Sequence, residues 1–291
     1  MNKVLVVHKR TRWELYHNSP DAETRDYLTS DRKYEQELLR SHDEHHRTLD
    51  RVVADLKSMG IDTSPVYRSD VDNDTINGAQ LVIPVGGDGT FIDAAHHVRG
   101  VPVLGVNSDP AELHPKGSVG YFMWADARNF RDIMEHIESR PVTTIYRQQV
   151  RIDGSPIREL VINDLLIADE NAASVTRLNV ETPQRSFSMP RSNSGMLVCT
   201  AAGSTAFMRN EGGPVLPLDS QQLLYHVRSN FEERDRFHAT DSMRIESRTR
   251  AGKVYVDGDY LFYDMKLGTT IEVETGHPLR VIGDLESKRA A

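Results

Sequence analysis

The sequence contains a single cysteine, Cys199, among its 291 residues. This excludes an intramolecular disulfide framework and any zinc site built from several cysteines. Positive charge is also scarce, because 35 Lys and Arg residues stand against 43 Asp and Glu residues and the net charge is −8. Since the chain has no basic block, its charge pattern gives no indication of a nucleic-acid surface.

Long apolar runs are missing as well. No run approaches the roughly 18 residues that a helix needs to cross a bilayer. The first ten residues, MNKVLVVHKR, have neither the pattern of a signal peptide nor that of a presequence. We therefore expect a soluble, cytoplasmic protein that has neither a membrane nor a nucleic acid as partner.

The first 140 residues alternate short apolar runs with stretches of helical periodicity. The runs predict strands, and the periodic stretches predict helices. The predicted strands are 4–7, 81–85 and 101–106, and the predicted helices are 42–59, 91–98 and 130–137. This alternation is typical of an α/β domain with a parallel sheet. Residues 11–41 are rich in charge and tyrosine, and we interpret them as an arm or a long loop.

After Pro141, strand-like runs follow one another with turn residues between them. They lie at 144–152, 160–168, 176–181, 196–200, 243–246, 253–256, 261–265 and 270–273. Two stretches between them, 203–211 and 220–226, are predicted to be helical. Serial strands of this kind favour a second, mainly β domain.

The sharpest motif is Gly86-Gly87-Asp88-Gly89-Thr90, between a predicted strand and a predicted helix. It is neither a Walker A loop nor a dinucleotide fingerprint, but its glycines would let backbone amides approach a phosphate chain. A carboxylate in such a loop repels phosphate unless it holds Mg²⁺ or takes a proton from an attacking hydroxyl. The alternative is a plain glycine turn in which Asp88 caps the helix.

A second polar feature is the pair Asn163-Asp164 within the apolar run 160–167. Adjacent strand residues point to opposite faces, so one of the two is expected to face the interior or a cleft. A ligand's hydroxyl groups could satisfy such a buried polar side chain. The alternative is a bulge or an edge-strand pair whose polar groups bind neighbouring backbone.

A third feature is the run of small and hydroxylated residues from Cys199 to Ala206. Small residues permit close approach of a ligand, and hydroxyl groups could bind ribose or phosphate oxygens. The alternative is a Ser/Thr-capped helix without a ligand. We expect Cys199 itself to be buried in the core rather than to act as a nucleophile.

The histidines offer weaker signals. His42 and His46 are one helical turn apart, which is a spacing that can serve a metal ion. On a charged helix face we expect them to be solvated instead.

Taken together and in this order, the motifs resemble the NAD kinase family. The matching stretches are VGGDGTFIDAAHHV (85–98), GVNSDP (105–110), INDLLIA (162–168), SGMLVCTAAGSTAFMRNEGGPVLP (194–217) and VDGD (256–259). The forms NSDP, ND and CTAAGSTA are most similar to the mitochondrial and plant branch of that family.

The resemblance implies the domain organisation and the reaction. It implies an α/β domain over 1–140, a β-rich NAD-binding domain over 141–270, and a segment 271–291 that packs back on the first domain. It also implies that ATP phosphorylates the adenosine 2′-hydroxyl of NAD, giving NADP and ADP, with Mg²⁺ on the donor phosphates. A homodimer is expected for the same reason.

The resemblance further implies roles for individual residues. Asp88 would be the general base and, with Gly89, would contact NAD. Asn163 and Asp164 would bind ribose hydroxyls. The remaining NAD-binding residues would be Ala202, Gly203, Ser204, Thr205, Ala206 and Phe207. The donor phosphates would lie against Gly86, Gly87, Gly89 and Thr90, and no protein ligand is assigned to the metal.

Four positions depart from the commoner bacterial pattern, and we interpret them as a subfamily signature. They are Ser194, Phe207, Asn210 and Asp259. Two other functions remain as alternatives: a lipid kinase that shares the GGDGT loop, and an NAD(P)-binding sensor without turnover. The choice between ATP and polyphosphate, and between NAD and NADH, is left open by the sequence.

Overall fold

The computed structural model describes residues 1–230 and 236–289. The chain divides into two compact units. One unit, the α/β unit, comprises Met1–Thr143 together with the C-terminal residues from Arg280 onward, and the other, the β-rich unit, is Thr144–Leu279. Both divisions lie later in the chain than the positions suggested by the sequence, 140 and 270.

The α/β unit is built on a parallel sheet, as its alternating pattern predicts. Its strands are β1 (Lys3–His8), β2 (Asp62–Tyr67), β3 (Leu81–Gly86), β4 (Gly105–Asn107) and β5 (Met123–Asp126). Its helices are α1 (Arg12–His17), α2 (Ala22–Ser30), α3 (Arg32–Ser58), α4 (Asn73–Ile76), α5 (Asp88–His97) and α6 (Phe130–Glu135). The five strands follow the order β2-β1-β3-β4-β5 and all pairs are parallel. Every residue of β3 is buried, which explains its continuous apolar run.

Residues 11–41 form helices, so the prediction of an arm or a long loop is wrong. Thr11, Asp21 and Asp31 are the N-caps of α1, α2 and α3, and each accepts hydrogen bonds from backbone amides of the first turn. In α2 only Leu28 is buried, and α1 has no buried residue. Because these helices bury so few apolar side chains, the sequence carries no clear periodicity there.

The β-rich unit is built on two six-stranded sheets, whose first strand begins two residues before Thr144 and whose last strand ends three residues after Leu279. Its strands are β6 (Val142–Ile152), β7 (Ser155–Pro156), β8 (Asp164–Asp169), β9 (Leu178–Glu181), β10 (Ser186–Ser188), β11 (Met196–Cys199), β12 (Leu223–Val227), β13 (Phe237–Thr240), β14 (Ser242–Ser247), β15 (Ala251–Val256), β16 (Phe262–Lys266) and β17 (Thr270–Ile282). The sheet orders are β10-β9-β14-β17-β6-β7 and β13-β12-β11-β8-β15-β16. Alternate residues of both sheets form one apolar core, which includes Val180, Ile245, Val198 and Val254.

The predicted helix at 220–226 is wrong, because this stretch forms strand β12. It pairs antiparallel with β11 and with β13. Leu223, Tyr225 and Val227 face the core between the sheets, whereas Leu224 packs on the opposite face. A short apolar run does not distinguish a strand from a buried helix by periodicity alone.

The opposite face of the second sheet is covered by the segment that follows β11. A 3-10 turn, Gly203–Thr205, leads into the short helix α7 (Phe207–Asn210). Met208 of α7 packs there against Leu197, Cys199 and Leu224. Cys199 is fully buried, as predicted, and burial raises the pKa of its thiol. None of the helices in the two described ranges is long and apolar enough to span a bilayer.

Candidate functional site

The glycine motif joins β3 to α5, at the carboxyl end of a central parallel strand. Gly86 is the last residue of β3, Gly87 is the N-cap of α5, and Asp88 is the first helical residue. Ligands of open α/β sheets bind at this edge. The strand–loop–helix context predicted from the sequence is therefore correct.

Two of the three glycines are required by contacts inside the protein. A Cβ on Gly86 would lie 2.3 Å from Oγ1 of Thr90, and a Cβ on Gly87 would lie 2.7 Å from Oγ of Ser118. Both distances are shorter than real Cβ contacts, so alanine at either position would force Thr90 or Ser118 to move. Thr90 is buried, so it supports the loop from within.

Gly89 differs from these two glycines. A Cβ there would meet no atom closer than Nη1 of Arg68, at 3.7 Å, and the residue is exposed. Packing therefore does not require a glycine at this position. Its small size leaves open space beside the first turn of α5, where backbone amides favour an anion.

The Asp88 carboxylate is held by two backbone amides. Its Oδ2 accepts a hydrogen bond from the amide of Tyr121 at 2.9 Å, and its Oδ1 accepts one from Phe122 at 2.8 Å. Burial raises the pKa of Asp88, although these two bonds and the charge of Lys288 act in the opposite direction. Each oxygen keeps further acceptor capacity, so the carboxylate is oriented and could still accept a proton.

Lys288 secures the turn that binds Asp88. Its Nζ donates to the carbonyl oxygens of Gly120, at 2.9 Å, and of Met123. This lysine was not predictable from the sequence, since 168 residues separate it from Gly120 and no local motif surrounds it. Lys288 is therefore a positioning residue for the Asp88 carboxylate.

A cavity of about 640 Å³ lies next to the glycine motif in the α/β unit. Its lining includes Gly86 and four cationic side chains: Lys9, Arg12, Arg40 and Lys116. Two carboxylates balance part of that charge, because Arg40 binds Asp109 with two hydrogen bonds and Lys116 binds Glu37. These cations were not predicted, and their chemistry suits a phosphate chain.

In the β-rich unit, Asp257 organises the start of β8. Its Oδ2 accepts a hydrogen bond from the amide of Ile162 at 2.8 Å. Its Oδ1 accepts from the amides of Asn163, at 2.6 Å, and Asp164, at 2.9 Å. The backbone of the predicted polar pair is thus satisfied by a residue far along the chain. Asp257 lies in the VDGD stretch quoted for the family resemblance, but the sequence assigned it no role.

The backbone amide of Asp164 has a hydrogen-bond partner, whereas its side-chain carboxyl has none in the described protein. Burial, together with the negative charge of Asp257, raises the pKa of Asp164 to about 7. Within residues 1–230 and 236–289 no protein group donates a hydrogen bond to this carboxylate. It lines a cavity of about 710 Å³ in the β-rich unit, so a ligand hydroxyl there would satisfy it.

The hydroxyl groups in the segment after β11 form hydrogen bonds with the backbone of the chain itself. Oγ of Ser204 donates to the carbonyl of Ala201 at 2.7 Å and accepts from the amide of Leu216 at 3.0 Å. Because Ser204 is fully buried, its hydroxyl has a structural use. Oγ1 of Thr205 donates to the carbonyl of Ala202 at 3.0 Å, and Thr205 is half-buried.

Gly203 allows this segment to lie directly on the polar pair. A Cβ on Gly203 would come within 2.0 Å of the carbonyl oxygen of Asn163. The amide of Thr200 donates to that same oxygen at 2.9 Å. The structure therefore brings Asn163, Asp164 and the segment 202–207 together within the β-rich unit, whereas Gly86, Gly87, Asp88, Gly89 and Thr90 form a second set within the α/β unit.

Comparison with known proteins identifies the family of the chain. Residues 5–140 match the model of the ATP-NAD kinase N-terminal domain. A protein of Oryza sativa subsp. japonica named as a probable NADH kinase is 32% identical over 260 residues, covering 81% of this chain and 80% of that protein. The chain belongs to the NAD kinase family. It is accordingly an enzyme of the transferase class.

Solved structures of NAD kinase relatives share the fold. An NAD kinase from Archaeoglobus fulgidus in complex with ATP has a TM-score of 0.68 at 17% identity, covering 99% of this chain and 96% of that chain. Yeast NADH kinase complexed with NADH has a TM-score of 0.66 at 15% identity, covering 97% of this chain and 84% of that chain. The architecture predicted from the sequence, a parallel α/β domain with a mainly β domain, is confirmed.

Three of the four departures from the commoner NAD kinase pattern line the 710 Å³ cavity: Ser194, Phe207 and Asp259. The guanidinium of Arg228 lies 5.0 Å from the centre of the Phe207 ring, a cation–π distance. Oγ of Ser194 lies 2.9 Å from Oγ of Ser229. Asn210 is exposed at the end of α7. The departures therefore change the wall of a cavity more than the support of the fold.

Among residues 1–230 and 236–289, the acidic side chains beside the glycine motif do not form a protein cage for Mg²⁺. Both oxygens of Asp88 accept backbone amides, and the Asp109 carboxylate is bound by Arg40 and Ser41. Mg²⁺ commonly binds through substrate phosphates and water with only one or two carboxylates. The residues present fit a metal ion that arrives on the donor phosphates.

Proposed function

We propose that this protein transfers the γ-phosphoryl group of ATP to the adenosine 2′-hydroxyl of NAD, giving NADP and ADP. Membership of the NAD kinase family supports the reaction class. The observation that carries the proposal is the Asp88 carboxylate, which two backbone amides orient at the end of β3 and which burial makes more basic.

Asp88 takes the proton of the attacking hydroxyl. The 2′-oxygen forms a bond to the γ-phosphorus while the bond from that phosphorus to the β,γ-bridging oxygen breaks, and ADP leaves with the electron pair. Phosphoryl transfer depends mostly on positioning and charge stabilisation. A positioned base contributes about 10²–10⁴-fold, which is the share that we assign to Asp88.

The β-rich unit binds the acceptor nucleotide. Asn163 and Asp164 bind ribose hydroxyl groups, and the buried Asp164 carboxylate gains in this way the hydrogen bond that the protein does not supply. The segment from Ala202 to Phe207 lines the adenosine-ribose pocket. We assign Thr205, Ala206 and Phe207 to ligand contact, since they are half-buried, and Gly203 and Ser204 to support of the pocket.

The α/β unit binds the donor phosphates. Gly89 and the first turn of α5 offer backbone amides, and Lys9, Arg12, Arg40 and Lys116 supply positive charge along the 640 Å³ cavity. Mg²⁺, when bound to the phosphates, neutralises charge that develops on the donor. Gly86 lines this cavity, and with Gly87 it offers backbone to the donor phosphates, while the buried Thr90 supports the loop.

The discriminating experiment measures NADP formation from NAD, ATP and Mg²⁺ with an NADP-specific dehydrogenase as the coupling enzyme. Product that depends on Asp88 supports the proposal. NADH in place of NAD and polyphosphate in place of ATP, with product followed by chromatography, determine which acceptor and which donor this enzyme prefers. The Oryza relative is named for NADH, so both acceptors belong in the assay.

Negative results separate the alternatives. Binding of NAD in calorimetry without any product would favour a sensor, whereas turnover of diacylglycerol in vesicles without NAD binding would favour a lipid kinase. From the family resemblance we also propose a homodimer, which sedimentation equilibrium would detect as twice the chain mass.

A further inference from the structure

Three metal-ligating side chains converge where α1 meets α3. Glu14 lies on α1, and His42 and His46 lie one turn apart on α3. One candidate ligand atom from each side chain lies within 4.8 Å of the other two. Nε2 of His46 is 3.3 Å from Oε1 of Glu14, and the two imidazole rings are 4.4 Å apart between centres.

Thr11 orients two of these three side chains. Its amide and its hydroxyl donate to Oε2 of Glu14, at 2.6 Å and 3.1 Å. The same hydroxyl lies 2.8 Å from Nδ1 of His42. The Trp13 ring also packs on the His42 ring, with 4.8 Å between their centres. Metal-binding imidazoles and carboxylates commonly have such supporting partners.

The cluster is not the solvated helix face that the sequence analysis predicted. The side chains of Glu14 and His46 are 21% and 35% exposed, so they are half-buried and still open to an ion. His45, between the other two histidines in sequence, lies 3.0 Å from Oγ of Ser108 and is buried. It belongs to a different face of α3.

The chemistry of the three donor atoms indicates which kind of ion the cluster would hold. Two imidazoles and one carboxylate form a donor set that holds Zn²⁺ with a fourth position left to water, whereas Mg²⁺ and Ca²⁺ select oxygen ligands.

We propose that Glu14, His42 and His46 form a binding site for a divalent transition-metal ion of the zinc type. The ion links α1 to α3. Thr11 and Arg12 at the start of α1, and Arg40 and Ser41 on α3, line the 640 Å³ cavity, so the ion also orders one wall of that cavity. This ion is distinct from the Mg²⁺ that we propose to accompany the donor phosphates.

The test uses the full chain without an affinity tag, freed of metal by chelation and dialysis. Co²⁺ is added, its visible absorption is followed, and Zn²⁺ is then used to displace it. We expect one ion per chain, with an absorption typical of a low coordination number. In His42→Gln and His46→Gln we expect binding to weaken by more than the roughly 10–100-fold that the loss of a supporting partner costs, since a direct ligand is removed.

The matched control is His136→Gln. His136 also lies one turn from a carboxylate, Asp132, but its side chain is 60% exposed, and no third ligand from the described part of the chain joins the pair. We expect this variant to bind Co²⁺ as the unchanged protein does. Far-UV circular dichroism of the metal-free proteins checks that each variant is folded.

A second readout is thermal stability, because an ion that binds only the folded state raises the melting temperature. Zn²⁺ should raise it for the unchanged protein and for His136→Gln, and not for the double variant His42→Gln/His46→Gln. Equal Co²⁺ affinity and an equal thermal shift in the folded double variant would overturn the proposal, and so would the absence of binding by the unchanged protein.

Discussion

Asp257 holds the backbone of Asp164 while it opposes the ionisation of the Asp164 side chain. The carboxylate of Asp257 accepts the Asp164 amide at 2.9 Å, and its negative charge adds to burial in raising the pKa of Asp164. A carboxyl group that is desolvated and faces a like charge keeps its proton to higher pH. Asp164, which lines the 710 Å³ cavity of the β-rich unit, therefore keeps its proton at pH values where an ordinary aspartate is ionised.

Because its pKa is raised in the folded protein, Asp164 makes the free energy of unfolding decrease as pH rises. In the folded protein its pKa is about 7, whereas the ordinary value is 3.8. Between these values the folded state binds a proton that the unfolded state has lost, so the free energy of unfolding falls as pH rises from about 4 to about 7. Asp164→Asn should remove this part of the decline. Urea denaturation across that range, compared with the unchanged protein, measures the difference.

The control for this experiment is Asp264→Asn, whose side chain is 88% exposed. It should keep the pH slope of the unchanged protein. If Asp164→Asn keeps the same slope as well, the carboxyl does not hold its proton in the folded state.

Removing the Asp257 side chain should destabilise the β-rich unit. Asp257→Ala leaves the amides of Ile162, Asn163 and Asp164 without their acceptor, and we expect a loss of about 2–4 kcal/mol in the free energy of unfolding. Asp257→Asn retains one carbonyl oxygen and tolerates the positive φ of 50° at this position, so its loss should be smaller. Denaturation curves for both variants check this order, and the reverse order would contradict it.

Asp88→Asn should separate binding from turnover. The amide cannot take the proton of the attacking hydroxyl, so we expect product formation to fall by at least about 100-fold, while NAD still binds in calorimetry. Asp132→Asn, an exposed aspartate of the same unit, should retain full activity. Unchanged turnover in Asp88→Asn would refute its role as the base.

The glycines of the loop should respond differently to alanine. Gly86→Ala places a Cβ 2.3 Å from Oγ1 of Thr90, and we expect a loss of about 1–3 kcal/mol in stability. Gly89→Ala meets nothing closer than 3.7 Å, so it should leave stability unchanged or slightly higher and raise the KM for the nucleotide. Thermal melts and initial-rate kinetics distinguish the two effects. A destabilised Gly89→Ala with unchanged KM would contradict this assignment.

The parallel sheet and the glycine motif were predictable because each depends on neighbouring residues. The run Leu81-Val82-Ile83 is continuous because β3 is buried throughout, and a strand followed by glycines and a helical pattern is a local signal. The helices α1 and α2 were not predictable from periodicity, since Leu28 is their only buried residue. Likewise, the apolar run of β12 is compatible with a helix or a strand. It forms a strand because it pairs with β11 and β13.

The sequence by itself determined the family, the α/β and β-rich architecture, and the candidate residues Asp88, Asn163 and Asp164. Only the tertiary structure decided which hydrogen bonds the carboxyl groups of Asp88 and Asp164 make and how strongly each holds its proton. Lys288 and Asp257 act over 168 and 93 residues of sequence, and Glu14 meets His46 over 32. The physical reason is that a hydrogen bond, a like-charge repulsion or a shared ligand requires atoms a few ångströms apart. Such distances arise only when strands and helices from distant parts of the chain pack together.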